Sequence, residues 1–485
     1  MLTFGARVRG APGSDFAGRV VCVDLDGTLI AGDLLWESLV ELFRRDPIAG
    51  LVTLLALVKG KAAFKRRVAE QVAIDPAALP YRADVLDRLQ GLYQGGARLV
   101  LATASDERYA TSVARYLGIF DEVVASDGYS NLSGDRKAAA LVDRYGRRGF
   151  DYFGNDWADV PVWRVAAEGT AVGVSPRLAT FATAEGVVQR VTTVRPGGIR
   201  SVVRALRPHQ WVKNLLVFVP LAAAHEFLNE TRLATSVMAF VAFSLCASAI
   251  YVINDILDVA SDRLHARKRH RPFAAGELSV PVGVAMAVLL LIVALTVAAA
   301  GVSPQLAAVV LIYVAITTAY SLVLKRLAVA DVFTLAGLYV LRIVAGSVAT
   351  GIVLSSWLLA FALFLFLSLA FIKRYTELRT TDGRMAGRGY GADDAMWMHS
   401  VGTSAGHMAI LVLALYVSAP EVAALYSRPQ VLWALCPVFL FWLTRLWFRA
   451  GRGVIHDDPV VEALKDPASY VAAAAALTIM VAAAL

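Results

Sequence analysis

The chain is poor in cysteine and in charge, and its first residues lack a secretion signal. Three cysteines in 485 residues, Cys22, Cys246 and Cys436, are scattered without CxxC spacing. That argues against a disulfide framework or a zinc site. The first twenty residues carry charges with Pro12, Gly13 and Gly18 in place of a short apolar stretch. No signal peptide is read there, and the N-terminal part is expected to stay in the cytoplasm. Only 18% of the residues are charged and 58% are hydrophobic, whereas soluble domains carry about a quarter charged. A wholly soluble protein is excluded. A formal net charge of +8 would suit a nucleic-acid binder, but the positions of the basic residues, given below, point to membrane topology and anion binding. No nucleic acid is expected.

What is present changes character near residue 205. Upstream, Val20–Val23 runs into DLDGT, Leu99–Ala102 into TAS, and Asp151–Gly154 into NDWAD. Short apolar strands with polar tips, separated by helical stretches, predict a parallel sheet with crossover helices. Ligands of such sheets collect at the carboxyl ends of the strands. Asp33–Pro80 is expected to be a helical insertion after the first strand. Its Leu51–Val58 run is too short to span a bilayer and reads as a buried cap helix, with a membrane-facing surface as the alternative. Ser175–Arg204, with Pro176, Pro196, Gly197 and Gly198, is a less patterned connector. The expected organisation is a soluble domain over 1–180, a linker over 181–205 and a membrane domain over 206–485.

Downstream, about nine apolar spans centre near residues 220, 243, 291, 313, 342, 364, 411, 438 and 477, each close to the ~20 residues that cross a bilayer. With the N-terminus inside, the inward loops hold Arg263, Arg267, Lys268, Arg269 and Arg271, then Lys325 and Arg326. Lys373, Arg374, Arg379, Arg384 and Arg388 follow, and then Arg445, Arg449, Arg452 and Lys465. The outward loops hold little beyond Arg232 and Arg428. Positive charge therefore sits on one side at every loop. The expectation is a multi-pass protein of the inner (plasma) membrane with a cytoplasmic N-terminal domain and, for an odd number of spans, the C-terminus outside.

Asp24 and Asp26, two apart at a strand end, can face one cavity. One carboxylate can attack phosphorus while the other handles the leaving-group proton, and carboxylates meeting phosphate call for a cation such as Mg²⁺. The motif resembles the haloacid dehalogenase superfamily of phosphatases, over about residues 18–178. The resemblance implies that Asp24 is the nucleophile and Asp26 the general acid/base, with Thr28 in the same motif. It implies that Thr103 hydrogen-bonds the phosphate and that Lys137 offsets its charge. In GNDWAD, Asn155 stands where an acidic metal ligand is common in that family, so Asp156 or Asp159 supplies the carboxylate or metal binding is weakened.

The second span ends in Asn254, Asp255, Asp258 and Asp262, followed by Arg267, Lys268, Arg269 and Arg271. Steps of three and four put the aspartates on one helix face, where they need a cation, again Mg²⁺. Acids at a membrane helix end are read as functional, and the following bases suit phosphate oxygens. This pattern resembles UbiA-type intramembrane transferases over roughly residues 200–485. Within them, RPHQWVKN (207–214), YSLVLK (320–325) with Asp331, and HDDPVVEALKDPASY (456–470) resemble the decaprenyl-phosphate phosphoribosyltransferase branch.

That resemblance implies transfer of 5-phosphoribose from 5-phosphoribosyl 1-diphosphate to a polyprenyl phosphate, with products that feed arabinose donors for cell walls. Asp255, Asp258 and Asp262 would act through Mg²⁺ on the leaving diphosphate. Lys213, Lys325 and Arg342 are candidates for the lipid-phosphate clamp. Lys213 has an interfacial, snorkelling lysine as its alternative, and Asp331 is a candidate structural partner for Arg342. Tyr320 lines the sugar site or marks the interface. Lys373 and Arg374 bind phosphate or mark the inner face.

Joined, the halves predict a bifunctional enzyme: phosphoribosyl transfer, then removal of the 5-phosphate to give the polyprenyl-phosphoryl ribose. Two alternatives use other chemistry. One is a prenyltransferase that moves a prenyl group from its diphosphate to an aromatic acceptor. The other is a lipid-phosphate transporter or scaffold with a vestigial phosphatase domain. Membrane lipids are expected neighbours, and a homo-oligomer is left open.

Overall fold

The computed structural model describes residues 16–192, 197–380, 389–424, 426–455, 459–463 and 465–485. Pro196, Arg384, Arg388, His456, Asp457 and Asp458 fall outside the described residues. The chain forms two compact units, Met1–Leu206 with Val252–Ala285, and Arg207–Tyr251 with Met286–Leu485.

In the first unit, six strands form one parallel sheet in the order β3-β2-β1-β4-β5-β6. They are β1 (Val20–Val23), β2 (Arg98–Asp106), β3 (Glu122–Ser126), β4 (Asp151–Gly154), β5 (Gly169–Val172) and β6 (Arg190–Thr192). β1 pairs with β2 on one side and β4 on the other, so the chain order reverses at its carboxyl end. A crevice opens at such a switch point, and Asp24 is the first residue beyond β1. Period-two alternation sends Val21, Val23, Leu99 and Leu101 into one core and Cys22, Val100 and Ala102 into the other. Burial of both faces explains why these strands are apolar throughout. β6 shows that the sheet runs on into the stretch read as a connector.

The insertion after β1 contains α1 (Leu34–Arg45), α2 (Pro47–Leu54), a 3₁₀ run at Leu55–Lys59 and α3 (Lys61–Gln71). Asp33 caps α1 by accepting from the N–H groups of Leu35 and Trp36, and Asp46 caps α2 ahead of Pro47. The reading of Leu51–Val58 as a buried cap helix is corrected. Leu51, Val52, Leu55 and Val58 are 61%, 55%, 69% and 90% exposed. α2 turns Gly50 and Thr53 inward instead, because Phe43 sits where a side chain at position 50 would be and Gln71 hydrogen-bonds Thr53.

The remaining helices of this part are α4 (Ala83–Gln94), α5 (Glu107–Leu117), α6 (Asp135–Tyr145), α7 (Val160–Trp163), α8 (Pro176–Ala184) and α9 (Ile199–Leu206). α4 and α5 cover one face of the sheet with Leu86, Leu89, Val113 and Leu117; α6, α7 and α8 supply Leu141, Val162 and Leu178 to the other.

A 3₁₀ run at Pro208–Phe218 leads to α10 (Val219–Ala223), α11 (Glu230–Leu257), α12 (Val259–Leu264), α13 (Val280–Gly301), α14 (Pro304–Leu322) and α15 (Ala330–Thr350). α16 (Ser356–Thr380), α17 (Asp394–Ser418), α18 (Pro420–Ala423), α19 (Leu435–Gly451), α20 (Pro459–Ala463) and α21 (Pro467–Ala484) complete the chain. Among the described residues eight helices are long and apolar enough to cross a membrane, so the protein is membrane-integral. The expected ninth, near residue 220, is not an α-helix of that length. Pro208 opens a 3₁₀ run and Pro220 lies at the start of the short α10, so no continuous α-helical ladder forms. Gly346 of α15 allows this segment to pack closely, since a Cβ there would lie 1.9 Å from the Val217 carbonyl oxygen.

Candidate functional site

The phosphatase motifs converge at the end of β1. Asp24 Oδ1 accepts from Lys137 Nζ at 2.8 Å, and Lys137, on the first turn of α6, also reaches Tyr152 OH at 2.8 Å and Asp159 Oδ1 at 3.3 Å. Thr28 Oγ1 donates to Asn155 Oδ1 at 3.1 Å and lies 3.5 Å from Asp24 Oδ2. Asp26, half-buried, accepts from the Leu34 N–H at 2.8 Å and from the Ser105 hydroxyl. Thr103 accepts from the Ser105 N–H, which sets the loop after β2. Gly27, at φ +77°, is required: a Cβ there would lie 2.0 Å from the Asn155 amide.

Burial pushes the Asp24 carboxyl up to about 6, with Lys137 opposing and Asp159 adding to the rise. Burial, with the charges of Asp33 and Asp24, pushes Asp26 up to about 7. Lys137 rises to about 12: burial disfavours its charge, but Asp24 and Asp159 outweigh that. A divalent cation held by these carboxylates would pull both aspartates back down.

Asp156 and Asp159 stand in different surroundings. Asp159 is buried and spends Oδ1 on Lys137 and Tyr152 and Oδ2 on the N–H groups of Asn155 and Asp156. It orients the loop and the lysine. Asp156 is exposed and accepts from the Trp157 N–H. Asn155 is the residue that reaches the Asp24–Thr28 pair, through an uncharged oxygen.

Three further residues contribute. Lys65 of α3 bonds the Ala104 carbonyl at 2.6 Å and Asn131 Oδ1 at 3.0 Å, bringing a cation from the insertion to the loop after β2. Burial lowers its pKa, with Asp26, Asp33 and Asp24 opposing. Tyr152 ties Lys137 to Asp159. Ser105 fixes Asp26.

The same unit contains the aspartate-rich segment. α11 ends at Leu257 and α12 begins at Val259, so the expected uninterrupted helix face is broken at Asp258. The Asp258 N–H still bonds the Asn254 carbonyl, and the Asp262 N–H the Asp258 carbonyl, at 2.9 and 2.8 Å. Asp255 and Asp262, both buried, converge on Arg271 Nη1 at 3.1 and 2.6 Å. Arg271, expected on a phosphate, is here the counter-ion of two carboxylates. Burial raises the pKa of Asp262, with Arg271 opposing. Arg267 and Lys268 are exposed on a 3₁₀ turn. Among the described residues no group of three His, Cys, Asp or Glu side chains is gathered tightly enough to hold a metal ion. The expected metal sets (Asp24, Asp26, Asp156 and Asp159; Asp255, Asp258 and Asp262) are therefore not assembled as three-carboxylate cages. The donors that do meet are carboxylate with amide oxygen in one case and carboxylate pairs with basic neighbours in the other. They suit a hard cation that takes most of its ligands from water and phosphate, as Mg²⁺ does.

The two motif sets are joined directly. Arg263 makes a two-pronged ion pair with Glu37 of α1 at 2.8 and 2.9 Å, and its Nε reaches the Ala274 carbonyl. A Cβ on Gly276, at φ +71°, would lie 2.8 Å from the Ala31 carbonyl oxygen. The loop after α12 thus packs on the segment that follows Asp26.

In the second unit two buried polar clusters separate the clamp candidates. Arg374 pairs with Asp331, bonds Glu377 at 2.5 Å and Tyr320 OH at 2.6 Å, and Tyr320 bonds Asp331 at 2.8 Å. The expected Asp331–Arg342 pairing is corrected, and Tyr320 serves this cluster. Arg342 donates to Asn214 Oδ1, the Leu338 carbonyl and Tyr313 OH at 2.8, 2.5 and 2.9 Å. Among the described residues its hydrogen-bond partners are all neutral. Lys213 Nζ lies 5.9 Å from the Tyr339 ring and Arg342 Cζ 5.5 Å from the same ring. Lys325 is half-buried on the turn between α14 and α15.

Residues 215–458 match the UbiA prenyltransferase family and residues 21–164 match the haloacid dehalogenase-like hydrolases. The chain belongs to the UbiA prenyltransferase family and carries a haloacid dehalogenase-like domain at its N-terminal end. It is a membrane-integral enzyme of the transferase type with a hydrolase-type domain fused to it. An uncharacterized protein, y4nM, of Sinorhizobium fredii is 35% identical over 93% of this chain and 88% of its own length. Nodulation protein NoeC of Azorhizobium caulinodans is 38% identical over 55% of this chain and 88% of its own. The decaprenyl-phosphate phosphoribosyltransferase of Mycobacterium tuberculosis is 41% identical over 38% of this chain and 62% of its own.

Proposed function

We propose that the chain transfers 5-phosphoribose from 5-phosphoribosyl 1-diphosphate to a polyprenyl phosphate, releasing diphosphate, and then removes the 5-phosphate from the product. One observation carries the pairing of the two steps: the phosphatase loop and the aspartate-rich loop belong to one compact unit and are tied by Glu37 and Arg263. The mycobacterial phosphoribosyltransferase relative supports the choice of substrates.

In the transfer, an oxygen of the lipid phosphate bonds to the anomeric carbon as the carbon–oxygen bond to diphosphate breaks. Asp255, Asp258 and Asp262 would hold Mg²⁺ jointly with water and diphosphate oxygens, and the ion would supply charge that offsets the leaving group. Arg267 and Lys268, exposed beside the aspartates, supply further positive charge to its oxygens. Lys213 and Arg342 attract the lipid phosphate, which is already ionised and needs no base.

In the hydrolysis, Asp24 attacks the phosphorus of the monoester and the bond to the sugar oxygen breaks. Asp26 gives that oxygen a proton, then takes one from the water that cleaves the aspartyl-phosphate. Lys137 offsets charge on Asp24 and the phosphoryl group. Asp24, with the Asn155 amide oxygen, would hold the metal in this half.

We place the phosphatase domain and the aspartate-rich loop on the cytoplasmic side. Glu230 is at the far end of α11 from that loop, so the chain between Leu206 and Glu230 has to cross the bilayer. A 3₁₀ run and short helix over 208–223 would extend about 30 Å, enough for the hydrocarbon core. Mass spectrometry of lipid products from polyprenyl phosphate and phosphoribosyl diphosphate, wild type against Asp24→Asn, tests the reading. The variant is expected to accumulate the lipid that still carries the 5-phosphate. No lipid product from this donor, together with prenylation of an aromatic acid, would overturn it.

A further inference from the structure

α2 and the 3₁₀ run after it pack Leu54 and Ala56 against the insertion's own apolar cluster and turn their other large apolar side chains outward. Their polar Thr53 is buried and hydrogen-bonded to Gln71, while Ile48, Leu51, Val52, Leu55, Leu57 and Val58 face outward at between 49% and 90% exposure. An amphipathic helix of a soluble domain does the reverse. A contiguous apolar patch of this kind marks an interaction surface. Lys59 and Lys61 follow the patch directly and are exposed, and Arg67, on the next helix, is 59% exposed. Arg66 and Lys59 share with Val52 and Leu55 a shallow cavity of about 680 Å³. The surface therefore joins aliphatic side chains to a basic margin.

Two further observations select the occupant. The unit that carries this surface also carries Val252–Ala285, the loop between two spans. Glu37 sits on α1, immediately before α2, and is paired with Arg263 of that loop. The apolar projection is thus anchored next to the point where the chain leaves the membrane.

We propose that Ile48–Val58 lies in the headgroup–acyl boundary of the bilayer that the protein's own helices span, with Lys59, Lys61 and Arg67 against anionic headgroups. Apolar side chains with a cationic margin are the composition of an in-plane membrane segment. The docking holds the insertion, and with it Lys65, at the membrane surface where a lipid-linked phosphate ester would be presented. It does not depend on which ester that is.

The test uses the full-length protein in lipid nanodiscs. A polarity-sensitive dye is placed on Val58→Cys in a Cys436→Ser background, because Cys22 and Cys246 are buried. The control site is Arg147→Cys, exposed at the end of α6. Lipids with a nitroxide near the headgroup should remove most of the fluorescence at position 58 and little at 147. The loss should grow when phosphatidylcholine is replaced by phosphatidylglycerol. Adding Leu51→Asp and Leu55→Asp should restore the signal at 58. Equal, weak quenching at both positions would overturn the proposal. So would protection of the label that depends on protein concentration and ignores the lipid, which is the signature of a second copy of the chain.

Discussion

Glu37 and Arg263, 226 residues apart, meet through two hydrogen bonds with side chains only 15% and 11% exposed. Glu37 stands one helical turn after the loop that begins at Asp26, and Arg263 one residue after Asp262. The loop after β1 and the aspartate-rich loop are therefore tied by this ion pair, beside the close approach of Gly276 to Ala31.

If that pair holds the two loops together, Glu37→Ala and Arg263→Ala should each free both. Hydrogen exchange should speed up over residues 28–37 and 263–277 in either variant. The double variant should be little worse than the singles, since charge-assisted hydrogen bonds of this kind contribute about 1.5–3 kcal/mol once, not twice. Faster exchange in only one of the two segments would contradict the coupling.

Asp26→Asn should slow phosphate release by about 10²–10⁴-fold, the usual contribution of a positioned acid/base group, and leave the transfer step untouched. Product analysis separates the two, because the phosphorylated lipid should build up.

Asn155→Asp should lower the Mg²⁺ concentration at which phosphate release is half-maximal. Asn155 shares the Thr28 hydroxyl with Asp24, and a carboxylate there adds a charged oxygen for a hard cation. An unchanged or higher requirement would remove position 155 from the metal set.

Arg342 and Arg374 should part company when replaced by methionine. Arg374→Met leaves Asp331 buried without its counter-charge and should cost about 3–5 kcal/mol, read as lost expression of folded protein. Arg342→Met abandons only neutral partners, so the protein should fold and show a raised KM for the lipid phosphate.

A reporter enzyme fused after Leu485 should be active only on the outer face. Activity inside would mean that 208–223 does not cross.

Much of the site was legible because its chemistry is local. Asp24, Asp26 and Lys137 stand in short motifs at strand ends or helix starts, and Asp255 and Asp262 at a span terminus. Partners set by the fold were not. Tyr152 and Lys65 have no neighbours in sequence that mark them, and an eight-residue apolar run such as Leu51–Val58 reads the same whether it faces a core or a bilayer. Asp331 and Arg342 lie on one helix, where eleven residues at 1.5 Å each hold them about 16 Å apart, too far to pair. The segment at 208–223 was missed as a 3₁₀ run because hydropathy registers apolar length and ignores the pitch of the backbone.

Arg271 between Asp255 and Asp262 has a consequence for assembly. The carboxylates carry a resting counter-charge that is part of the polypeptide, so this corner of the membrane protein can form before any divalent ion arrives. The folding of this corner is thereby separated from its chemistry, since its charges are balanced within the polypeptide.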